Sequence, residues 1–488
     1  MADWGFYGRR NELDNLRAVL DRGRWFFVKI TGRRRIGKTT LIRQALDSLR
    51  ERPVYYVQIP DSGDAGVLSA VNDALDTFKV PREKFPHPRN LAELARTLEA
   101  LAESGYVVVL DEFQYFNRKG YGEFCSLLQA AADRLDAKAG RVRGGWVVLG
   151  SVHAEMEAIL EERSAPLYGR VKDSLDLTHL DIASVLAILR EHADPTPERL
   201  LSLWTLFEGV PKYYRDCHEQ NVLNADRPTL LLKMFFENSS PLRSEADTWF
   251  LREIGGMRDT VLKFVARNPG MMHKDLVHKI QQASGDETGS IGGYLAILTE
   301  RYRLIERKLP IFAPDNGRKG RYYLADNFLT AWMAAVASRA SARSFRPVDQ
   351  LVAETGVVLD GVEGFGLEKL VSHLYEERGR RGLGDFPLTT QIRGFWDRNQ
   401  IEIDLVAVNE DDFRIRFGSC KRSSTKLLRD ISNFKGHVDR FLNEHRAYRD
   451  WTIEYVGISV RLSDDERAVL TRNDIIPQSL DDLTDGLT

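Results

Sequence analysis

The sequence predicts a multidomain α/β protein, and three observations carry that expectation. Short runs that are apolar on both faces alternate with segments of helical spacing over the first third, a helical stretch follows from about 180, and a second strand-rich segment begins near 355. Runs without in-and-out alternation mark parallel strands covered by helices on both sides. At 488 residues the chain has room for about three domains of ~150 residues. Its 69 Lys and Arg against 71 Asp and Glu leave a net charge of −2, and 43% hydrophobic with 29% charged residues is globular rather than disordered composition. That excludes a basic coat for nucleic acid, so any DNA-binding surface has to be local.

Elements follow in order. The apolar runs are Phe26-Phe27-Val28-Lys29-Ile30-Thr31 and the segments 54–59, 107–110 and 146–149; helical spacing in 39–48, 67–78, 91–103 and 121–135 supplies their cover. From 180 to 255 the pattern is helical throughout, with Leu186, Leu189, Leu200, Leu203, Leu206, Leu230, Leu231 and Met234. Between 257 and 335 come three helical stretches (260–266, 274–283, 291–300), a strand at 303–307, a turn at Pro314-Asp315-Asn316-Gly317 and a strand at 321–324. Three helices and a hairpin are the layout of a winged helix-turn-helix. The small, polar and basic run 337–344 reads as a linker. No repeat of about 20–50 residues recurs, so a solenoid is excluded.

Gly32-Arg33-Arg34-Arg35-Ile36-Gly37-Lys38-Thr39 fits GxxxxGK[ST] and sits after a buried strand and before a helix. Its glycines let backbone N–H groups turn onto phosphates, and the helix N-terminus adds positive charge. Lys38 is expected on the β/γ-phosphates and Thr39 on Mg²⁺, while Arg35, Thr40 and the two glycines complete the nucleotide contacts. Magnesium needs a carboxylate near the loop, and hydrolysis needs a group that orients water. The run 107–110 followed by Asp111-Glu112 supplies both, Asp111 for the metal and Glu112 for the water.

Together with Phe6-Tyr7-Gly8-Arg9-Arg10-Asn11-Glu12-Leu13, these motifs resemble the archaeal-type ATPases related to AAA+ and STAND proteins. The resemblance implies an AAA+-like core with a helical lid, ATP and Mg²⁺ as cofactors, and ATP hydrolysis. It also assigns Ser151, after the next strand, as a polar sensor near the γ-phosphate. Ala165-Pro166-Leu167-Tyr168-Gly169-Arg170 resembles the family's "aPLyGR" segment, making Arg170 a candidate arginine finger acting between the subunits of a homo-oligomer. Gly209-Val210-Pro211-Lys212-Tyr213-Tyr214 resembles the lid's "GGVPkYl" segment, whose proline, Pro211 here, lies near the base; Glu208 stands where the first glycine is expected.

Residues 267–323 hold ten Lys and Arg against six Asp and Glu, a local excess of positive charge in a chain that is negative overall. Arg318, Lys319 and Arg321 fall in the expected wing, where they suit phosphate contacts. The expected third helix, 288–300, is poor in Arg, Asn and Gln, which favours backbone or shape recognition over base readout.

Past the linker, Glu368 lies in an amphipathic helix, Glu402 and Asp404 share one face of a strand, and Lys421 ends the next strand. Acid, acid and lysine on adjacent strands resemble the PD-(D/E)XK nuclease fold, as does Gly394-Phe395-Trp396-Asp397-Arg398. The resemblance implies a restriction-endonuclease-like domain in which carboxylates hold Mg²⁺ and a lysine positions water. Ser419-Cys420-Lys421 departs from the expected Glu-x-Lys, so one metal carboxylate is missing and Glu402 is the expected substitute.

Boundaries are accordingly expected at 1–178 (ATPase core), 179–256 (helical lid), 257–336 (winged helix), 337–354 (linker), 355–475 (nuclease-like domain) and 476–488 (acidic tail). Three cysteines, Cys125, Cys217 and Cys420, are too widely spaced for a disulfide framework or a CxxC knuckle, and no run of about 20 apolar residues is present. A cytoplasmic protein is expected. The sequence reading is an ATPase coupling nucleotide state to DNA engagement through a degenerate nuclease-like domain. Its rivals are an ATP-gated, Mg²⁺-dependent DNA endonuclease and a non-cleaving, ATP-switched DNA-binding regulator or scaffold.

Overall fold

A computed structural model of the chain describes residues 3–49, 52–118, 120–151, 153–243, 245, 257–284, 291–315, 317–397 and 401–487. These form two compact units. One comprises Gly8–His179 with Val210–Lys212, and the other comprises Met1–Tyr7, Leu180–Gly209 and Tyr213–Thr488.

In the first unit the apolar runs become strands β1 (Phe26–Thr31), β2 (Val54–Gln58), β3 (Val107–Asp111) and β4 (Gly145–Gly150). A fifth, β5 (Asp173–Asp176), completes a parallel sheet in the order β2-β3-β4-β1-β5. Every residue of β1, β3 and β4 is buried, whereas β5 alternates half-buried and exposed. That is why Asp-Ser-Leu-Asp carries no apolar signal of its own. Helices Lys38–Leu46, Asp64–Thr77, Leu91–Glu103 and Gly122–Ala137 provide the cover. Asn90 caps the third of these by accepting from Glu93 N, a preferred N-cap geometry. Trp146 anchors the core, edge-on to Trp25 at 5.3 Å and donating its indole N–H to the Leu98 carbonyl at 3.1 Å.

The second unit begins with helices Ile182–His192 and Pro197–Phe207. Farther on, helices Met257–Arg267, His273–Ser284 and Ile291–Ala296 accompany β6 (Met271–Met272), β7 (Ile305–Lys308) and β8 (Arg321–Leu324), antiparallel in the order β6-β8-β7. The start of the expected third helix, 288–290, lies outside the described residues; from 291 the segment is helical, closing with a π-type turn, Ile297–Arg301.

Two sequence expectations are corrected here. The 337–354 linker is largely helical: Ala337–Ala342 is one helix, and the 33-residue helix Val348–Arg380 starts inside the segment. Ala337, Ala340 and Ala342 favour helix rather than flexibility. The tail is not a tail. Residues Ile476–Ser479 form β13, paired parallel to β12 (Thr452–Ser459), and Leu480–Thr484 is a helix whose N-cap Ser479 makes a capping box with Asp482. Its acids therefore serve a helix start, and one proline-containing four-residue strand was too short to stand out.

With β9 (Arg393–Trp396), β10 (Glu402–Asn409) and β11 (Arg414–Cys420) these strands make a mixed sheet ordered β13-β12-β11-β10-β9. Helix Ser424–Glu444 packs on it through Leu427, Phe434, Val438 and Phe441. Leu405 stands opposite Gly418 on β11. Continued one step outward, that register sets Asp404 opposite Ser419, while the β9–β10 pairing shifts register between Ile403 and Val406.

Candidate active site

In the first unit the loop between β1 and helix Lys38–Leu46 passes through three left-handed positions, Gly32 (φ 144°), Arg35 (φ 64°) and Gly37 (φ 100°). A Cβ on Gly32 would stand 2.5 Å from the Leu177 carbonyl oxygen, so only glycine fits. At Gly37 a Cβ would stand 3.6 Å from Pro211 Cγ, which places Pro211 against the loop. Arg9 holds the loop from behind. It donates to the Ile36 carbonyl at 3.3 Å and to the Thr178 carbonyl, and pairs with Glu12 at 3.1 Å.

Lys38 Nζ donates to the carbonyl oxygens of Gly32 (2.9 Å) and Arg33 (3.1 Å). Burial brings its ammonium down to about 8, against the upward pull of Glu112 and Asp111. Thr40, one residue past Thr39, is exposed.

Asp111 ends β3 and gathers three donors: Thr39 Oγ1 at 3.0 Å, Tyr56 OH at 2.6 Å and Glu112 N at 2.9 Å. Glu112 takes a left-handed conformation (φ 56°, ψ 38°) and accepts hydrogen bonds from Ser151 Oγ at 3.0 Å and from Gln114 Nε2. The loop threonine, both acids and Ser151 are thus linked, Thr39 through Asp111 and Ser151 through Glu112. Gln114 is 4% exposed and was missed in the sequence, where a glutamine in LDEFQYF carries no chemical signature. Arg170 is engaged elsewhere, with Asp133 on helix Gly122–Ala137 at 3.1 Å and the Tyr168 carbonyl at 2.6 Å.

The second unit carries the other cluster. Lys421 Nζ lies 2.8 Å from Asp404 Oδ2, and the same oxygen accepts from Cys420 N at 2.8 Å. Glu368, from the long helix, is half-buried and lines the same cavity as Asp404; desolvation first, and then the Asp404 charge, push its carboxyl above the ordinary range. Ser419 is 3% exposed in β11.

Glu402 does not take the role expected of it. It is 57% exposed at its side chain and bound to Arg321 Nη1 at 2.6 Å. Glu368 lines the cavity with Asp404 and feels the charges of Asp404 and Lys421.

The same contact corrects the expected wing. Arg321 lies 4.6 Å from the centre of the Trp396 ring, and Trp396 Nε1 donates to the Lys319 carbonyl at 2.8 Å. Ile311 N donates to the Gly394 carbonyl at 3.0 Å, and the Ile311 side chain joins the core of Phe395, Phe417 and Phe441. Of the three wing residues, Arg318 is exposed, whereas Lys319 and Arg321 are half-buried against β9 and β10. The hairpin's apolar tip and its arginine pack on the second sheet, so the hairpin is not the free-standing wing that the sequence predicts.

A strand, a glycine-framed loop, a buried lysine and an Asp-Glu pair at the carboxyl edge of a parallel sheet define a P-loop nucleotide-binding domain. Residues 6–216 match the model of an ATPase domain found predominantly in Archaea, and that stretch is an ATPase domain of the archaeal type. Over 445 residues the chain is 26% identical to an uncharacterized protein of Methanocaldococcus jannaschii, covering 87% of this chain and 91% of that one. Among solved structures, a Walker-type ATPase of Pyrococcus abyssi is similar with a TM-score of 0.50 at 18% identity, covering 67% of this chain and 96% of the other. The ORC2 protein of Aeropyrum pernix is similar with a TM-score of 0.47 at 14% identity, covering 74% and 97%. No helix among the described residues is long and apolar enough to cross a membrane.

Proposed function

We propose that ATP binding and hydrolysis in the archaeal-type ATPase domain control how the winged-helix and nuclease-like parts of the second unit engage DNA. The nucleotide site fits ATP with Mg²⁺: Lys38 spends its donors on two loop carbonyls, and Thr39 and Asp111 form a hydroxyl-carboxylate pair. Thr39 and Asp111 would hold the metal, which neutralises phosphate charge when bound. Lys38 exchanges its carbonyl partners for phosphate oxygens. Glu112, held by Ser151 and Gln114, orients a water and accepts its proton. Arg170 acts as a finger toward a neighbouring subunit's nucleotide once it leaves Asp133.

The observation that carries the DNA reading is the Asp404–Lys421 pair on the second sheet with Glu368 of the long helix lining the same cavity as Asp404. Without a glutamate at 419 the set is degenerate, and weak or no cleavage is the expectation. ATP turnover measured with and without single- and double-stranded DNA tests it; turnover indifferent to both, with no DNA bound in any nucleotide state, rejects it.

One observation favours a second reading, a Mg²⁺-dependent nuclease gated by ATP. Glu368 lies beside Asp404 and restores the count of two carboxylates that Ser419 removes. Cleavage of supercoiled plasmid in Mg²⁺ or Mn²⁺, lost in Asp404→Ala, would decide for it.

A further inference from the structure

Within the second unit a cavity of about 900 Å³ lies between the β7–β8 hairpin, the long helix and the edge of the second sheet. Its volume is that of a site for a small ligand or a few nucleotides. Glu368 and Asp404 line it, and so do three aromatic rings, Tyr323, Phe365 and Trp396.

Phe365 is 42% exposed and lies three residues before Glu368, hence on the same side of the helix. It meets Tyr323 edge-on at 6.3 Å between ring centres. Phe365 thus keeps a large part of its ring open to a cavity that carboxylates also line. Two of the rings already carry a cation, Lys308 at 5.1 Å from the Tyr323 centre and Arg321 at 4.6 Å from Trp396. Lys308 and Arg393 are exposed, Lys308 lying 3.6 Å from Glu306, and Arg321 is paired with Glu402.

Aromatic rings interleaved with exposed cations are the equipment for unpaired nucleotides, each base stacking on a ring while the cations take the phosphates. A duplex cannot use them. Its bases are stacked on both faces by neighbouring pairs, which leaves them no free face for a protein ring.

We infer that this cavity receives an unpaired nucleic-acid strand, with bases on Phe365 and Tyr323 and phosphates on Lys308, Arg321 and Arg393. The inference rests on the proposed engagement of nucleic acid by the second unit and specifies its form. A phosphate entering the site replaces Glu402 as the partner of Arg321.

Fluorescence anisotropy of the full chain in EDTA tests this, using labelled oligothymidine of about a dozen residues, the matching duplex and an oligouridine of equal length. The single strand is expected to bind about tenfold or more tightly than the duplex, and Phe365→Ala to weaken it about 5- to 150-fold, the contribution of one stacked base. The variant should leave ATP turnover unchanged, because Phe365 is exposed and takes no part in the nucleotide site. Lys308→Gln should lower the salt dependence of single-strand binding. Oligouridine binding more tightly than oligothymidine supports the inference with RNA as the strand, and equal binding supports it for both. Duplex binding that matches or exceeds single-strand binding, or indifference to both variants, overturns the inference while leaving DNA engagement standing. Failure to bind any of the three probes overturns both.

Discussion

Replacing Glu208 should separate two opposed energies in one residue. It occupies a glycine-like conformation (φ 50°, ψ −129°) and is 2% exposed. Its carboxylate binds Lys369 Nζ at 2.9 Å and accepts from Asn327 N at 3.1 Å. Lys369 also donates to the Ala325 carbonyl at 3.0 Å and Asn327 Oδ1 at 3.2 Å, which hold it in place when its partner is removed. Breaking a buried pair from one side costs about 3–5 kcal/mol, and relief of the backbone strain returns about 1–3 kcal/mol. Glu208→Gly should therefore destabilise the second unit by about 2 kcal/mol, and Glu208→Ala, which loses the pair and keeps the strain, by about 4 kcal/mol. Adding Lys369→Met to Glu208→Gly should recover most of the loss. With two compact units a single unfolding midpoint is ambiguous, so the readout is urea-dependent hydrogen exchange of peptides from helix Val348–Arg380. Equal losses for the glycine and alanine variants would refute the strain; a double variant no better than Glu208→Gly would refute the pair.

Further predictions concern the two sites. Lys38→Ala should abolish ATP turnover and weaken binding, whereas Glu112→Gln should keep binding and stop turnover; wild-type turnover in both refutes the assignment. Because burial lowers the Lys38 ammonium to about 8, the empty site loses its charge as pH rises through that value. ATP binding should then take up a proton, and affinity should fall by up to about tenfold per pH unit above it. Calorimetry in buffers of different ionisation heat measures the uptake, and Lys38→Arg should remove it. Ser419→Glu should strengthen Mn²⁺ binding, followed by calorimetry, since it sets a carboxylate opposite Asp404 on the same face; unchanged binding shows that Glu368 already completes the set.

Legibility divided by distance along the chain. The phosphate loop and Asp111-Glu112 could be read because each is a local pattern whose strand and helix context is written in adjacent residues. Asp404 and Lys421 could be paired because a hairpin register relates them. Arg9 behind the loop, Gln114 on Glu112, and the Glu208–Lys369 and Arg321–Glu402 pairs could not, since partners distant in sequence meet only after folding. β5 and β13 escaped for another reason: four-residue strands with polar or proline positions hold no periodicity to detect. Glu402 was given the compensating role because it shares a strand face with Asp404, but its arginine partner comes from a different segment.

Ile311 sits in the hairpin connection, yet its side chain fills the hydrophobic core of the second sheet, and Phe312 stacks on Tyr448 at 4.8 Å. The sheet therefore borrows part of its interior from a segment that precedes its own first helix. A fragment cut at the expected border of 355 would carry an open hydrophobic flank, prone to self-association. Recombination at that border would fare no better, since a transplanted sheet would arrive without its plug. A conformational step that displaced the hairpin would have to carry the sheet with it.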